Sequence, residues 1–140
     1  MKYIGLLFMA LLFSACGGDN DFLSIDEYLE QTGIETEVTA SGLHYIINES
    51  GDAEKPELSS NINITYDGYF LGGESFDGGN DVTFPLQNLI LGWQEGIRLI
   101  GRGGDITLFI PSQFAYGQRG QGPIPPNTDI GFDITLHDFE

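Results

Sequence analysis

From residue 43 onward the chain alternates. Leu43, Tyr45 and Ile47 are interleaved with His44, Ile46 and Asn48, and Ile62, Ile64 and Tyr66 with Asn61, Asn63, Thr65 and Asp67. Near the end, Ile130, Phe132, Ile134 and Leu136 alternate with Asp129, Asp133, Thr135 and His137. A period of two sends successive side chains to opposite faces of a pleated strand, so these segments predict antiparallel strands with one dry face. A further strand is predicted over 106–110, closed by Pro111. In one stretch the period lengthens: Trp93, Ile97 and Ile100 fall at i, i+4 and i+7, with Gly101 just beyond, the pattern of a short amphipathic helix. Such a helix must bury its apolar stripe on the dry face of the sheet. The predicted class is α+β.

Ahead of the strands, Ser24-Ile25-Asp26-Glu27 has the capping-box pattern, and Tyr28, Leu29 and Gly33 complete a short helix with a glycine stop. The glycines concentrate at 72–79, 101–104 and 117–122, which are expected to be loops. Asp77-Gly78-Gly79-Asn80-Asp81 lacks the alternation and terminal Glu of a calcium loop and is read as an acidic turn.

The beginning of the chain has a different character. After Met1-Lys2-Tyr3, residues 4–13 carry no charge, and Ser14-Ala15 precede Cys16, the only cysteine. An apolar run this short cannot span a bilayer, which takes about 20 residues as a helix. It reads as an export signal that is removed. Phe13-Ser14-Ala15-Cys16 resembles the lipobox of bacterial lipoproteins, with Phe13 in place of the usual leucine. That resemblance implies a signal peptide over 1–15 and a lipid on Cys16. Gly17-Gly18-Asp19-Asn20-Asp21, with turn and charge character and no apolar periodicity, reads as a flexible tether, so tether and accessory helix are expected over 16–40 and a folded domain over 41–140. The protein would be anchored in the bacterial cell envelope, on the outer membrane or facing the periplasm, attached to the membrane without being embedded in it.

Charge removes several functions from consideration. Against 21 Asp and Glu stand 5 Lys and Arg, a net charge of −16, which argues against nucleic-acid binding through clustered cations. His44 and His137 are isolated, with no cysteine or histidine near them in sequence, and Ser75 and Ser112 have no triad partners, so neither a metal centre nor a hydrolase is predicted. Gly101-Arg102-Gly103-Gly104 follows a helix and leads into a strand, the reverse of a phosphate loop. No cofactor is expected.

What remains is an ordered series: Ile64-Thr65-Tyr66, Ser75-Phe76-Asp77, Gly92-Trp93, Ala115-Tyr116-Gly117, Ile124-Pro125-Pro126 and Phe132-Asp133. It supplies apolar and aromatic walls with few polar tips. In order and spacing the series resembles the FKBP-type peptidyl-prolyl isomerases, over residues 41–140. The resemblance implies a twisted antiparallel sheet wrapped around the helix near Trp93, whose indole would floor a pocket. Tyr66, Phe76 and Asp77 would line one wall, Leu89 and Ile90 the rim, and Tyr116, Ile124 and Phe132 the other wall. Ile90 would offer its backbone amide to the ligand, and Asp77 would orient Tyr66 or polarise the rim. Val82 stands where the family usually has an aromatic residue, the connection from Phe84 to Leu89 is short, and the flap 118–123 lacks a histidine that some members carry.

The activity so implied is rotation about X-Pro bonds, which meets a barrier of roughly 20 kcal/mol because twisting an amide breaks its resonance. No covalent bond has to form. Trp93, Phe76, Val82 and Phe132 would hold the proline ring while the Tyr116 hydroxyl donates to a substrate carbonyl. Implied partners are proline-containing polypeptides and macrolide inhibitors, with the protein a monomer. The alternative is an FKBP-like lipoprotein that binds prolyl peptides, or acts as a chaperone, without catalysis.

Overall fold

The structure, a computed structural model, describes residues 22–140. The expected signal peptide and Cys16 lie outside the described residues. Among the described residues two α-helices, α1 (Ile25–Thr32) and α2 (Leu91–Gly96), accompany six strands. The strands are β1 (Glu37–Val38), β2 (His44–Glu49), β3 (Asn61–Phe70), β4 (Ser75–Pro85), β5 (Gly104–Ile110) and β6 (Ile130–Phe139). They form one antiparallel sheet in the order β1-β2-β5-β6-β3-β4. The fold is α+β, as the periodicity predicts. No helix of the described residues is long and apolar enough to cross a membrane.

The inner face of the sheet carries the main core. Ile106, Leu108 and Ile110 of β5, Ile130, Phe132, Ile134 and Leu136 of β6, and Ile62 and Ile64 of β3 are buried against Trp93, Ile97 and Ile100. The helical period read from those last three residues is split in the structure: α2 ends at Gly96 and continues as a 3-10 turn, Ile97–Leu99. The approach of α2 to the sheet is made possible by bare backbone. A Cβ at Gly92 would stand 2.6 Å from Ile110 Cγ2, and one at Gly96 2.6 Å from Leu108 Cδ2.

The opposite face is partly covered as well. Helix α1 begins with the expected box, in which Ser24 Oγ accepts from the Glu27 amide at 3.3 Å and the Glu27 carboxylate accepts from the Ser24 amide at 2.9 Å. It ends at Gly33 in the left-handed region, φ 71°. Ile25 packs with Leu71 and Phe109 in a second apolar cluster that Leu29 and Ile46 join. The helix therefore seals outward-pointing residues of β2 and β5, which explains why Ile46, expected on the wet face, is half-buried. Ile47, on the expected dry face, is exposed.

The expected loop over 72–79 is a tighter turn, and the acidic turn at Asp77 is strand: β4 starts at Ser75 and pairs with β3 from Tyr69 to Asn61. Gly78 and Gly79 lie opposite Asp67 and Tyr66. A Cβ at Gly79 would come within 2.7 Å of the Tyr66 ring, so glycine serves close approach here rather than turning. The ladder is interrupted between Ile64 and Tyr66, where Asp81 adopts φ 55° in a bulge. Strand β1 is an addition that the alternation does not reveal.

Gly92→Ala checks whether bare backbone sets the helix position. In an exposed helix the change gains about 1 kcal/mol of propensity. Here the new methyl would meet three carbons of Ile110, which is 0% exposed and stiff at χ1. Overpacking of this kind costs about 1–3 kcal/mol, so denaturant titration should show a net loss of stability.

Candidate active site

Between α2 and the inner face of the sheet a cavity of about 470 Å³ opens to solvent. Trp93 forms its floor and is 5% exposed. The rings around it meet it edge-on: Tyr66 at 5.0 Å and 76°, Phe132 at 5.0 Å and 86°. Such perpendicular contacts set the positive edge of one ring against the negative face of the next, which fixes ring orientation as well as spacing. The indole Nε1–H is buried with no hydrogen-bond partner among the described residues. An unmade bond of that kind costs about 1–3 kcal/mol.

Leu89 and Ile90 form the rim, from the segment that leads into α2. That segment is pinned from within the helix: Gln94 Nε2 donates to the Leu89 carbonyl at 2.8 Å and to the Gln87 carbonyl at 3.1 Å. The Ile90 carbonyl accepts from the Trp93 and Gln94 amides, while its own N–H donates to nothing among the described residues. Across the cavity stands Tyr116, on the segment after the 3-10 turn Ser112–Phe114. Its hydroxyl also has no partner among the described residues. Two unengaged donors thus flank an aromatic floor.

Asp77 lies at the mouth. Its Oδ2 accepts from the Tyr66 hydroxyl at 3.0 Å, and its Oδ1 from the Gly78 amide at 2.8 Å. Tyr66 is pushed up to about 12, first by burial and then by its hydrogen bond to Asp77, with smaller contributions from the Asp77 charge and Tyr116. Tyr116 is raised by burial and then by the Asp77 charge. Both hydroxyls keep their protons at neutral pH and remain donors.

Seven residues expected at the site, Tyr66, Asp77, Leu89, Ile90, Trp93, Tyr116 and Phe132, line this one cavity. Phe76, Val82 and Ile124, expected in its walls, are not among the lining residues. Phe76 stands behind Phe132, with ring centroids 5.7 Å apart. Val82 packs towards Gly79 and the main core. Ile124 is 5% exposed, with its amide bonded to the Gln121 carbonyl. The lining also includes Phe84, Asn88 and Gln121, which the sequence reading leaves out. For Phe84 a signal existed: it follows Val82 by two residues and so shares its face of β4. Asn88 and Gln121 sit in irregular backbone, where no period points to a cavity. Among the described residues no cluster of three or more His, Cys, Asp or Glu is placed to hold a metal ion.

The FKBP-type peptidyl-prolyl cis-trans isomerase family profile matches residues 52–137. The chain is 37% identical over 119 residues to the FKBP-type isomerase FkpA of Escherichia coli strain K12, covering 82% of this chain and 43% of that protein. To the peptidyl-prolyl cis-trans isomerase Mip of Coxiella burnetii it is 34% identical over 109 residues, or 74% of this chain and 46% of the relative. The chain thus spans less than half the length of the curated relatives it matches. In structure it is similar to the crystal structure of Escherichia coli FkpA, with a TM-score of 0.76 at 36% identity, covering 82% of this chain and 57% of that one. A peptidyl-prolyl isomerase from Pseudomonas syringae pathovar tomato superposes with a TM-score of 0.73 at 26% identity, covering 81% and 88%.

The electrostatics of the mouth can be read by titrating tyrosinate absorbance. Tyr66 holds its proton more tightly in the folded chain than in the unfolded one, where tyrosine ionises near pH 10. Its contribution to stability is therefore complete below about pH 10 and is lost as pH climbs towards 12. In Asp77→Asn the Tyr66 step should move down yet stay above the ordinary value, because burial is the larger cause. An unchanged step would remove Asp77 from the account.

Proposed function

The chain belongs to the FKBP-type peptidyl-prolyl cis-trans isomerase family, and from that premise we propose that it catalyses cis-trans isomerisation of X-Pro bonds in exported polypeptides. The observation that carries the reading is a water-accessible aromatic cavity flanked by two unengaged donors, the Ile90 amide and the Tyr116 hydroxyl. The proline ring enters over the Trp93 indole, with Phe132 and Tyr66 against its edges. The two donors take carbonyls on either side of the imide bond and fix the direction of twist.

Rate follows from preference. A catalyst of this reaction has only to bind the twisted imide better than the planar one, and about 1.4 kcal/mol of such preference gives tenfold in rate. The twisted imide has lost resonance and is the less polar form, so an apolar floor that excludes water disfavours the planar ground state more. Asp77 holds Tyr66 through the bond at 3.0 Å and thereby sets one wall. No proton is exchanged with the substrate.

The same proposal places the protein in the bacterial cell envelope, with Cys16 as the lipidated first residue of the mature chain, on the outer membrane or facing the periplasm. Support comes from the uncharged run 4–13 and the small pair Ser14-Ala15 ahead of the single cysteine. Proline-containing polypeptides are its substrates, macrolides its expected inhibitors and the monomer its working state.

NMR exchange on a short X-Pro peptide tests the catalysis. Exchange should quicken well beyond the uncatalysed tens to hundreds of seconds, and a rate equal to the uncatalysed one would leave only a peptide-binding role. Trp93→Ala should lower kcat/KM by about tenfold or more, whereas Asp77→Asn should weaken the activity without abolishing it. Because the cavity lining holds no histidine, lysine or cysteine and its tyrosines are raised, kcat/KM should be flat between about pH 6 and 8. A bell-shaped profile would point to proton transfer. Cys16→Ser should release the protein from membranes or stall its processing, and a native mature chain with an unmodified thiol in mass spectra would refute the anchor.

A further inference from the structure

Phe22 is the first described residue and lies outside the stretch 52–137 that the family profile matches. Its ring nevertheless lies flat on Phe70, with centroids 3.9 Å apart and planes 8° from parallel. From Phe70 the ring contacts run inward without a break: to Phe76 at 5.1 Å, from Phe76 to Phe132 at 5.7 Å and from Phe132 to Trp93 at 5.0 Å. The last two rings of this series line the cavity, and the first three do not.

The seat under Phe22 is shaped for it. The turn between β3 and β4 carries Gly72 and Gly73, where a Cβ would stand 2.9 Å from Leu23 Cδ1 and 3.4 Å from Phe22 Cδ1 respectively. Gly72 is also in the left-handed region, at φ 71°, so a side chain is disfavoured there on two counts. Behind this seat Asp129 clamps the segment: its Oδ2 accepts from the Ile25 amide at 3.0 Å and its Oδ1 from the Ser112 amide at 2.9 Å.

We propose that Phe22 is a positioning residue for the pocket. By covering Phe70 it holds Phe76, and Phe76 both backs the Phe132 wall and precedes Asp77, the partner of Tyr66. Without Phe22 the Phe70 ring faces water on the side it now buries, and the series of oriented rings loses its outer end. The consequence is felt as a looser wall around the proline ring. This inference rests on the reading of the cavity as a prolyl site, and its test separates the two.

The test compares Phe22→Ala, Phe22→Tyr and Leu29→Ala in the full chain, at a temperature where circular dichroism shows all three folded. Leu29 lies in the same N-terminal segment but packs on the second cluster and belongs to no ring pair of the series. Trp93 is the only tryptophan, so its indole N–H gives a single NMR resonance at the pocket floor. Phe22→Ala should shift that resonance and lower kcat/KM for a short X-Pro peptide about three- to tenfold, mainly through KM, the weight of one ring pair. Phe22→Tyr should restore both, and Leu29→Ala should lower the melting temperature while leaving both in place. An unmoved resonance in Phe22→Ala, an equal shift in Leu29→Ala, or a kcat/KM within about twofold of an active wild type would overturn the proposal. If the wild type does not accelerate isomerisation, the catalytic reading falls and the resonance alone decides the role of Phe22.

Discussion

Everything about the pocket depends on how closely a one-and-a-half-turn helix can lie against a sheet. Gly92 and Gly96 give α2 a side without side chains, and Ile110 and Leu108 fill the space that this leaves. Trp93 projects from between these glycines, so the indole is wedged between helix and strands instead of standing clear of them. Once it is there, the positions of Tyr66 and Phe132 follow, because both meet it edge-on from β3 and β6. A larger residue at either glycine would lift the floor and open the walls together.

The polar groups of the site are few, and local bonds fix some of them while leaving others without a partner among the described residues. Gln94 holds the carbonyls of the rim and leaves the Ile90 amide exposed for use. Asp77 engages Tyr66 and leaves Tyr116 unengaged. A site of this kind has little chemistry to lose by mutation of a single ionisable group and much to lose by movement of a wall. The ring series from Phe22 inward matters for the same reason: orientation is the property the walls supply.

Much of this is legible in the sequence alone. The dry faces of β3 and β6 are legible in their alternation, because both neighbours of each strand are strands and one face lies on the core. The Ser24 box was legible because it is a contact within four residues. Strand β4 was not: it is an edge strand whose residues are mostly half-buried or exposed, so no apolar period marks it, and Gly78 and Gly79 imitate a turn. Val82 is not among the cavity-lining residues and Phe84, two residues further along β4, is; the bulge at Asp81 lies just before both. The outer cover formed by α1 was hidden for a different reason, since Ile46 and Phe109 look like ordinary members of an alternating strand until the helix lies over them.

The place of β6 decides how the sheet can close as the protein folds. The last of the described strands occupies the middle of the sheet, joining β5 on one side to β3 on the other. Without it, β1, β2 and β5 would make one run of sheet and β3 and β4 another, with no pairing between the two. Closing the sheet therefore means joining segments far apart in sequence, Ile62 to Phe139 among them, and a fold that waits on such distant pairings forms more slowly than one built from local contacts.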